Sequence, residues 1–138
     1  MSDAIRNANA DFYRAFEALS IEAMDAIWSH TDDVRCVHPG WEPICGWEGV
    51  RKSWAAIFES ATQASAYMEL DITDAQLWVS GDLAGIFCHE NILSFRNGEQ
   101  IRSLMLATNV FRREQGRWLM VQHHGSPVLT RSNEATTV

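Results

Sequence analysis

The chain has 138 residues, of which 46% are hydrophobic, and carries a formal charge of −7 at pH 7. This length and composition predict a single globular domain with its own apolar core and exclude a disordered chain. The negative charge and the scattered basic residues argue against nucleic acid as a partner.

The cysteines and the N-terminal segment indicate a cellular compartment. Cys36, Cys45 and Cys88 are odd in number and lack CxxC spacing, so we expect reduced thiols and no disulfide framework. The first twelve residues contain no apolar signal core, and no stretch has the length of a membrane span. The expectation is a cytoplasmic protein without a membrane partner.

Apolar spacing predicts two helices and a short strand in the first part of the chain. Apolar residues recur every three or four positions over residues 5–19, so an amphipathic helix should begin near Ser2 or Asp3. Ser20 is suited to cap a second, shorter helix over Ile21–Trp28. A strand is expected at Val34–His38, where proline and glycine then stop it.

A rigid loop and a third helix follow. The loop Pro39–Gly46 holds two of the three prolines and two glycines around Trp41. The apolar stripe of Trp47–Ala61 predicts the third helix. Trp41 and Trp47 border the loop, and each could cover a pocket or stack on a flat ligand, the alternative being packing of the loop on the sheet.

The second half of the chain alternates with a period of two, which predicts four long strands. The apolar positions change parity after Thr73, and such a switch indicates a β-bulge that bends the sheet. Asn97–Gly98 predicts a tight hairpin between the strands Leu83–Phe95 and Gln100–Arg113. The last strand ends in the histidine pair His123–His124, whose side chains must point to opposite faces.

This order predicts an α+β fold in which a strongly curved, mostly antiparallel sheet wraps around the N-terminal helices and leaves a cavity at one end. Residues 1–129 form the single expected domain, and residues 130–138 are predicted to be a polar, frayed tail.

The element order resembles that of the nuclear transport factor 2-like superfamily, specifically its SnoaL-like branch and the association domain of calmodulin-dependent kinase. The segment VFRREQGRWLMVQHHGS (Val110–Ser126) is closest to the association domain. HPGWEPICGWEGVRKSW (His38–Trp54) is similar to the loop and helix of small SnoaL-like bacterial proteins. The resemblance covers roughly Ile5–Pro127 and implies a cone-shaped, cystatin-like α+β barrel with a pocket at its wide end, usually in dimers.

The resemblance implies less about function, because the superfamily includes isomerases, dehydratases, polyketide cyclases, epoxide hydrolases and non-catalytic modules. The pocket arginines of the association domain correspond here to Asn91, Asn109 and Gly125, so we do not expect its ligand preference. The oxyanion pair of ketosteroid isomerase has no match, since the two tyrosines, Tyr13 and Tyr67, fall on the first helix and at a strand start.

A polar cluster in the cavity is the predicted site. By analogy with the family, His123 and Asn109 face inward, and the matching positions on the other strands add His38, His89 and Asn91. We expect His123 or His38 as the proton-transfer base and Asn109 to orient the ligand. His89, Asn91 and the two loop tryptophans, Trp41 and Trp47, would complete the binding surface. A purely structural hydrogen-bond network is the alternative.

Glu90 depends on the strand register. Its parity relative to Asn91 places it on the outer face, in an interface or a surface ion pair. A register shifted by one residue would instead make Glu90 the inward group in place of His89.

The sequence therefore predicts a protein that binds a small organic molecule in a largely apolar pocket, as a homodimer. Any catalysis would be proton transfer without a cofactor, by an isomerase, dehydratase or cyclase. No metal is expected, because no HExxH or other tight ligand spacing is present. The alternative is a non-catalytic oligomerisation or ligand-sensing module.

Overall fold

The computed structural model describes residues 2–129 of the chain; the predicted tail at residues 130–138 lies outside them. The described part contains three helices and six strands. The helices are α1 (Ser2–Glu17), α2 (Ile21–Ile27) and α3 (Trp47–Gln63). The strands are β1 (Arg35–Val37), β2 (Ile44–Cys45), β3 (Tyr67–Ser80), β4 (Leu83–Arg96), β5 (Glu99–Glu114) and β6 (Arg117–Pro127).

All six strands form one sheet in the order β2-β1-β6-β5-β4-β3. Neighbouring strands are antiparallel except β1 and β6, which run parallel. The predicted α+β class and the mostly antiparallel sheet are confirmed, but the sheet is not closed into a barrel, and β2 and β3 are its edges. The two-residue strand β2 lies within the proline-containing loop, where the sequence predicted no strand.

The helices cover the inner face of the sheet and bury their apolar residues against it. Ser20 caps α2 as predicted, since its hydroxyl oxygen accepts a hydrogen bond from the backbone N–H of Ala23 at 3.1 Å. The core contains several large, fully buried side chains, each worth about 1.5–3 kcal/mol of stability. They include Phe12, Met24, Trp28, Trp54, Ile86, Phe111 and Met120.

The predicted bulge lies in β3, where the pairing with β4 shifts between Thr73 and Gln76. Asp74 adopts a left-handed backbone conformation, with φ of 55°. Because of this extra residue, Ile72 and Ala75 contribute to the same cavity wall although they are three positions apart. Local sequence therefore predicted a feature that shapes the inner face.

The predicted Asn97–Gly98 hairpin is also present. Both residues have positive φ, 54° and 80°, as a two-residue type I′ turn requires. Among the described residues, no helix is both long and apolar enough to cross a membrane.

Candidate functional site

The pairing of β4 with β5 decides which side chains face the helices. Ile86 lies opposite Asn109, and Glu90 lies opposite Met105. The inner face of β4 therefore carries Ile86, Cys88 and Glu90, which are 1%, 0% and 3% exposed. The alternative register predicted from the sequence, with Glu90 inward, is the one observed.

The predicted inward placement of His89 and Asn91 is wrong. His89 lies on the outer face, where its Nδ1 is 3.3 Å from a carboxylate oxygen of Asp74. Asn91 donates from Nδ2 to the Asp71 carbonyl and to the Thr73 hydroxyl on neighbouring β3. The inward residues of β5 are odd-numbered, and they pair with even-numbered residues of β4. His89 and Asn91 are odd-numbered residues of β4, so their side chains lie on the outer face.

A continuous hydrogen-bonded chain, which we call the Glu90 network, links α1 to three strands. Tyr13 on α1 donates from Oη to Oε2 of Glu90 at 2.6 Å. Asn109 on β5 donates from Nδ2 to Tyr13 Oη at 3.0 Å and to Asn9 Oδ1 at 2.8 Å. His123 on β6 completes the network, with Nδ1 2.6 Å from Asn109 Oδ1.

Burial sets the protonation of this network. Burial raises the pKa of Glu90, and the hydrogen bond from Tyr13 opposes that shift. The pKa of Tyr13 is raised by burial first and by the Glu90 charge second, so the phenol stays neutral. Burial, followed by the charges of His38 and His124, lowers the pKa of His123 to about 3. Neutral His123 then donates from Nδ1–H to Asn109 and carries its lone pair on Nε2.

The Glu90 network reaches a cavity of about 360 Å³ between α1 and the β3–β4 side of the sheet. Tyr13 and Asn9 line it from the helix. The sheet contributes an apolar wall formed by Leu70, Ile72, Ala75 and Ile86. A buried polar chain that ends at a cavity with one apolar wall is a typical arrangement for orienting a small organic molecule.

His123 faces inward as predicted, and His124 is exposed on the other face. Asn109 is fully buried, also as predicted. Neither His123 nor Asn109 lines the cavity directly. Both act on it through their bonds to Tyr13 and Asn9.

His38 belongs to a separate cluster. It is 4% exposed, and its Nε2 lies 2.9 Å from Ser53 Oγ. The Ser53 hydroxyl donates to the Val50 carbonyl at 2.7 Å, so His38 Nε2–H is the donor to Ser53. Burial lowers the pKa of His38 to about 4. This His38–Ser53 cluster ends on the helix backbone and does not line the cavity.

The two loop tryptophans also lie outside the cavity lining. Trp41 is 49% exposed and packs edge-on against the His38 ring, with centroids 4.8 Å apart. Trp47 starts α3 and stacks on His30 at 4.7 Å and on Trp28 at 6.0 Å. Their contacts fit the packing alternative, in which the loop and α3 are held to the rest of the fold.

Sequence reasoning missed Tyr13 and Asn9 as site residues and gave Glu90 only as the alternative to His89. A signal for both missed residues was present, because Asn9 and Tyr13 are polar groups four positions apart in the apolar stripe of α1. Over residues 2–129, no group of three histidine, cysteine or acidic side chains is arranged to hold a metal ion. The site is thus built from hydrogen-bonding side chains.

The fold is that of the nuclear transport factor 2-like superfamily. Within it, the chain belongs to the SnoaL-like domain family, whose family model matches residues 5–130. The resemblance expected from the sequence is therefore confirmed.

Two solved structures show the similarity in detail. A candidate dehydratase of the NTF2-like family from Streptomyces avermitilis is 36% identical, with a TM-score of 0.83, over 93% of this chain and 96% of that one. A candidate calcium/calmodulin-dependent protein kinase type II association domain from Thiobacillus denitrificans is 33% identical, with a TM-score of 0.74, over 88% and 92% of the two chains.

A curated relative is the F-box protein SKIP8 of Arabidopsis thaliana, which is 28% identical over 126 residues. The match covers 91% of this chain and 50% of the relative, so the chain spans about half the length of that protein.

Proposed function

We propose that this protein binds a small, largely apolar organic molecule in the cavity beside Tyr13 and catalyses proton transfer on it without a cofactor, as an isomerase, dehydratase or cyclase does. The observation that carries this proposal is the Tyr13–Glu90 bond of 2.6 Å, which places a buried carboxyl directly behind a phenol that lines the cavity. Similarity to a candidate dehydratase supports the dehydratase class.

The proposed chemistry uses Tyr13 as the acid that touches the ligand. Its raised pKa keeps the phenol protonated, and the raised pKa of Glu90 favours a neutral carboxyl. In that protonated form the Tyr13–Glu90 hydrogen bond reverses, and the carboxyl donates to Tyr13 Oη. The Tyr13 hydroxyl is then available to donate to a carbonyl or hydroxyl oxygen of the ligand. Asn109 holds the phenol in place, and His123 in turn orients the Asn109 amide.

A dehydration balances on this pair of residues. Tyr13 gives its proton to the departing hydroxyl as the C–O bond breaks, and Glu90 gives its proton to Tyr13. The proton on the neighbouring carbon returns through Tyr13 to the Glu90 carboxylate as the C=C bond forms. An alcohol becomes an alkene plus water, and both side chains recover their starting protonation. This assignment replaces His123 and His38 as the proton-transfer groups, because neither lines the cavity.

The first test offers the protein β-hydroxy ketones with short alkyl or phenyl substituents as substrates. Turnover is measured by the ultraviolet absorbance of the enone product. We expect turnover by the wild type and a fall in kcat/KM of about 10²–10⁴-fold in Tyr13→Phe and Glu90→Gln. Glu69→Gln is the matched control, since Glu69 is exposed on β3. A Glu90→Gln protein with the wild-type rate would contradict the assignment, and so would a panel that shows neither binding nor turnover.

We also propose a homodimer formed through the outer face of the sheet. This face presents exposed Trp78, Phe87 and Tyr67, which are 49%, 40% and 53% accessible. It carries acidic Asp71 on β3 and basic Arg102 on β5. A two-fold axis can pair such opposite charges around an apolar centre, which favours a second copy of this chain as the occupant.

Sedimentation equilibrium tests the dimer. The wild type should sediment as a dimer and Phe87→Glu as a monomer, because the new carboxylate would be buried against an apolar partner face. Ser60→Glu, on the exposed side of α3, is the matched control. A wild type that is monomeric at all concentrations would contradict the proposal.

The same face supports the second candidate function, a non-catalytic oligomerisation or ligand-sensing module. That candidate predicts a dimer and ligand binding that survive in Tyr13→Phe, with no turnover by the wild type.

A further inference from the structure

We infer that the ligand of the cavity beside Tyr13 is an organic acid with an apolar body, whose hydroxyl or carbonyl oxygen meets Asn9 and Tyr13 and whose carboxylate faces Arg6. The inference rests on the proposed function, because it names the ligand class of the same cavity. Three features of the lining carry it: an open amide donor, an excess of cationic groups and an apolar wall.

The amide donor belongs to Asn9, which is 6% exposed. Its Oδ1 accepts a hydrogen bond from Asn109 Nδ2 at 2.8 Å, and this bond identifies the oxygen and the nitrogen of the Asn9 amide. Among residues 2–129, the Asn9 Nδ2 group has no hydrogen-bond partner, and Asn9 lines the cavity. Because this donor is free on the cavity surface, a ligand that supplies an oxygen there can accept a hydrogen bond from it.

The charged groups that line the cavity also favour a ligand that supplies hydrogen-bond acceptors. Arg6 lies one turn before Asn9 on α1 and lines the cavity without an ion pair to any described residue. Arg14 also lines it and is paired with Asp11. Glu17 is the one carboxylate in the described lining, and its Oε2 already accepts from the Leu70 backbone N–H at 2.7 Å. The lining therefore offers donors and an unpaired cation, and the matching ligand is rich in acceptors and anionic.

The opposite wall of the cavity determines the chemistry of the rest of the ligand. Leu70, Ile72, Ala75 and Ile86 present only apolar side chains from the sheet, so the body of the ligand must be hydrocarbon. The cavity volume of about 360 Å³ is near the lower end of the range for small-molecule sites, roughly 300–1,000 Å³. A short-chain or single-ring hydroxy acid or oxo acid fits this description.

The whole chain carries a formal charge of −7, which repels an anionic ligand at long range. Recognition must therefore come from the local arginines, and it should weaken as salt screens them. This makes Arg6 the specificity-determining residue of the cavity.

Isothermal titration with β-hydroxyhexanoate and its primary amide tests the inference. These two probes have the same body and hydroxyl and differ in charge. We expect the wild type to bind the acid about tenfold more tightly than the amide, and Arg6→Gln to reduce that ratio to about one. Arg51→Gln is the matched control, since Arg51 pairs with Asp25 on the surface and does not line the cavity.

Asn9→Asp tests the amide donor, because its carboxylate can still accept from Asn109 but cannot donate to the ligand. It should weaken binding of both probes, and its thermal unfolding shows whether the fold is intact. Equal or tighter binding of the amide by the wild type would overturn the inference. So would binding of neither probe while β-hydroxy ketones are turned over, and in that case the proposed function would stand.

Discussion

The Glu90 network and the His38–Ser53 cluster each contain a buried histidine that packs on the Trp54 ring, with centroid distances of 5.9 Å for His123 and 4.7 Å for His38. They differ in where their hydrogen bonds lead. The bonds from His123 run through Asn109 to side chains that line a cavity. Those from His38 end on the Val50 carbonyl. Burial and a lowered pKa are common to both, so the end point of the hydrogen bonds separates a candidate site from a structural contact.

The greatest loss of stability is expected from truncating Phe12, a core side chain that packs against the Glu90 network at His123. Phe12 is fully buried and contacts His123 at 4.9 Å and Trp54 at 5.7 Å between ring centroids. Phe12→Ala should lower the free energy of unfolding by about 3–5 kcal/mol, because it leaves a cavity in the core beside His123 and Trp54. Urea denaturation measures this change. Ile101→Ala, at a site that is 49% exposed, serves as the control, and a similar loss there would contradict the packing argument.

Acid titration should give the next largest effect. The pKa values of about 3 for His123 and about 4 for His38 lie below the unfolded value of about 6.5. Below pH ~6.5 the unfolded chain therefore binds more protons than the folded one, so stability is present above that pH and is lost as the pH falls. The loss should be about 1.4 kcal/mol per pH unit for each histidine. Urea midpoints measured from pH 7 to pH 4 test it.

Variants separate the contributions to that pH dependence. His38→Gln and His123→Gln should each make the loss of stability in acid shallower. Glu90 acts in the opposite sense, since its folded pKa is raised and its neutral form is favoured in the fold. Glu90→Gln should remove a loss of stability that develops as the pH rises above about 4.5. An unchanged acid slope in both histidine variants would contradict the burial argument.

The smallest expected effect on stability comes from a variant in the His38–Ser53 cluster, and its effect on ligand binding distinguishes that cluster from the Glu90 network. Ser53→Ala removes the partner of His38 and should cost about 1 kcal/mol, since the ring loses one hydrogen bond. It should leave the affinity for β-hydroxyhexanoate unchanged. Asn109→Leu is the counterpart in the Glu90 network and should weaken that affinity, because Tyr13 and Asn9 lose their shared partner. Equal effects of the two variants on ligand binding would mean that the two clusters do not differ as described.

Features set by neighbouring residues could be predicted from the sequence. The Ser20 cap, the bulge after Thr73 and the Asn97–Gly98 turn each depend on a few adjacent side chains, and all three are present. The inward direction of His123 followed from the family analogy together with simple alternation.

The face of β4 could not be predicted in the same way. Both faces of this strand carry apolar residues, and the large Phe87 is 40% exposed whereas Glu90 is 3% exposed. Alternation therefore predicted that every second side chain of β4 faces inward, but not which set. Only the pairing with β5 decides between the odd-numbered and the even-numbered residues. The Tyr13–Glu90 bond joins residues 77 positions apart, and no local pattern reports such a contact.

The same sequence separations bear on how the protein folds. The Asn9–Asn109 bond spans 100 positions, so α1 must retain two polar side chains without their partners until β5 has paired with β4. Helices form within microseconds, whereas closure of such long loops is slow, which makes this step a strong candidate for the rate-limiting one. During synthesis α1 leaves the ribosome well before the strands that it needs. We therefore expect the cavity to form last, in the same event that brings α1 onto the completed sheet.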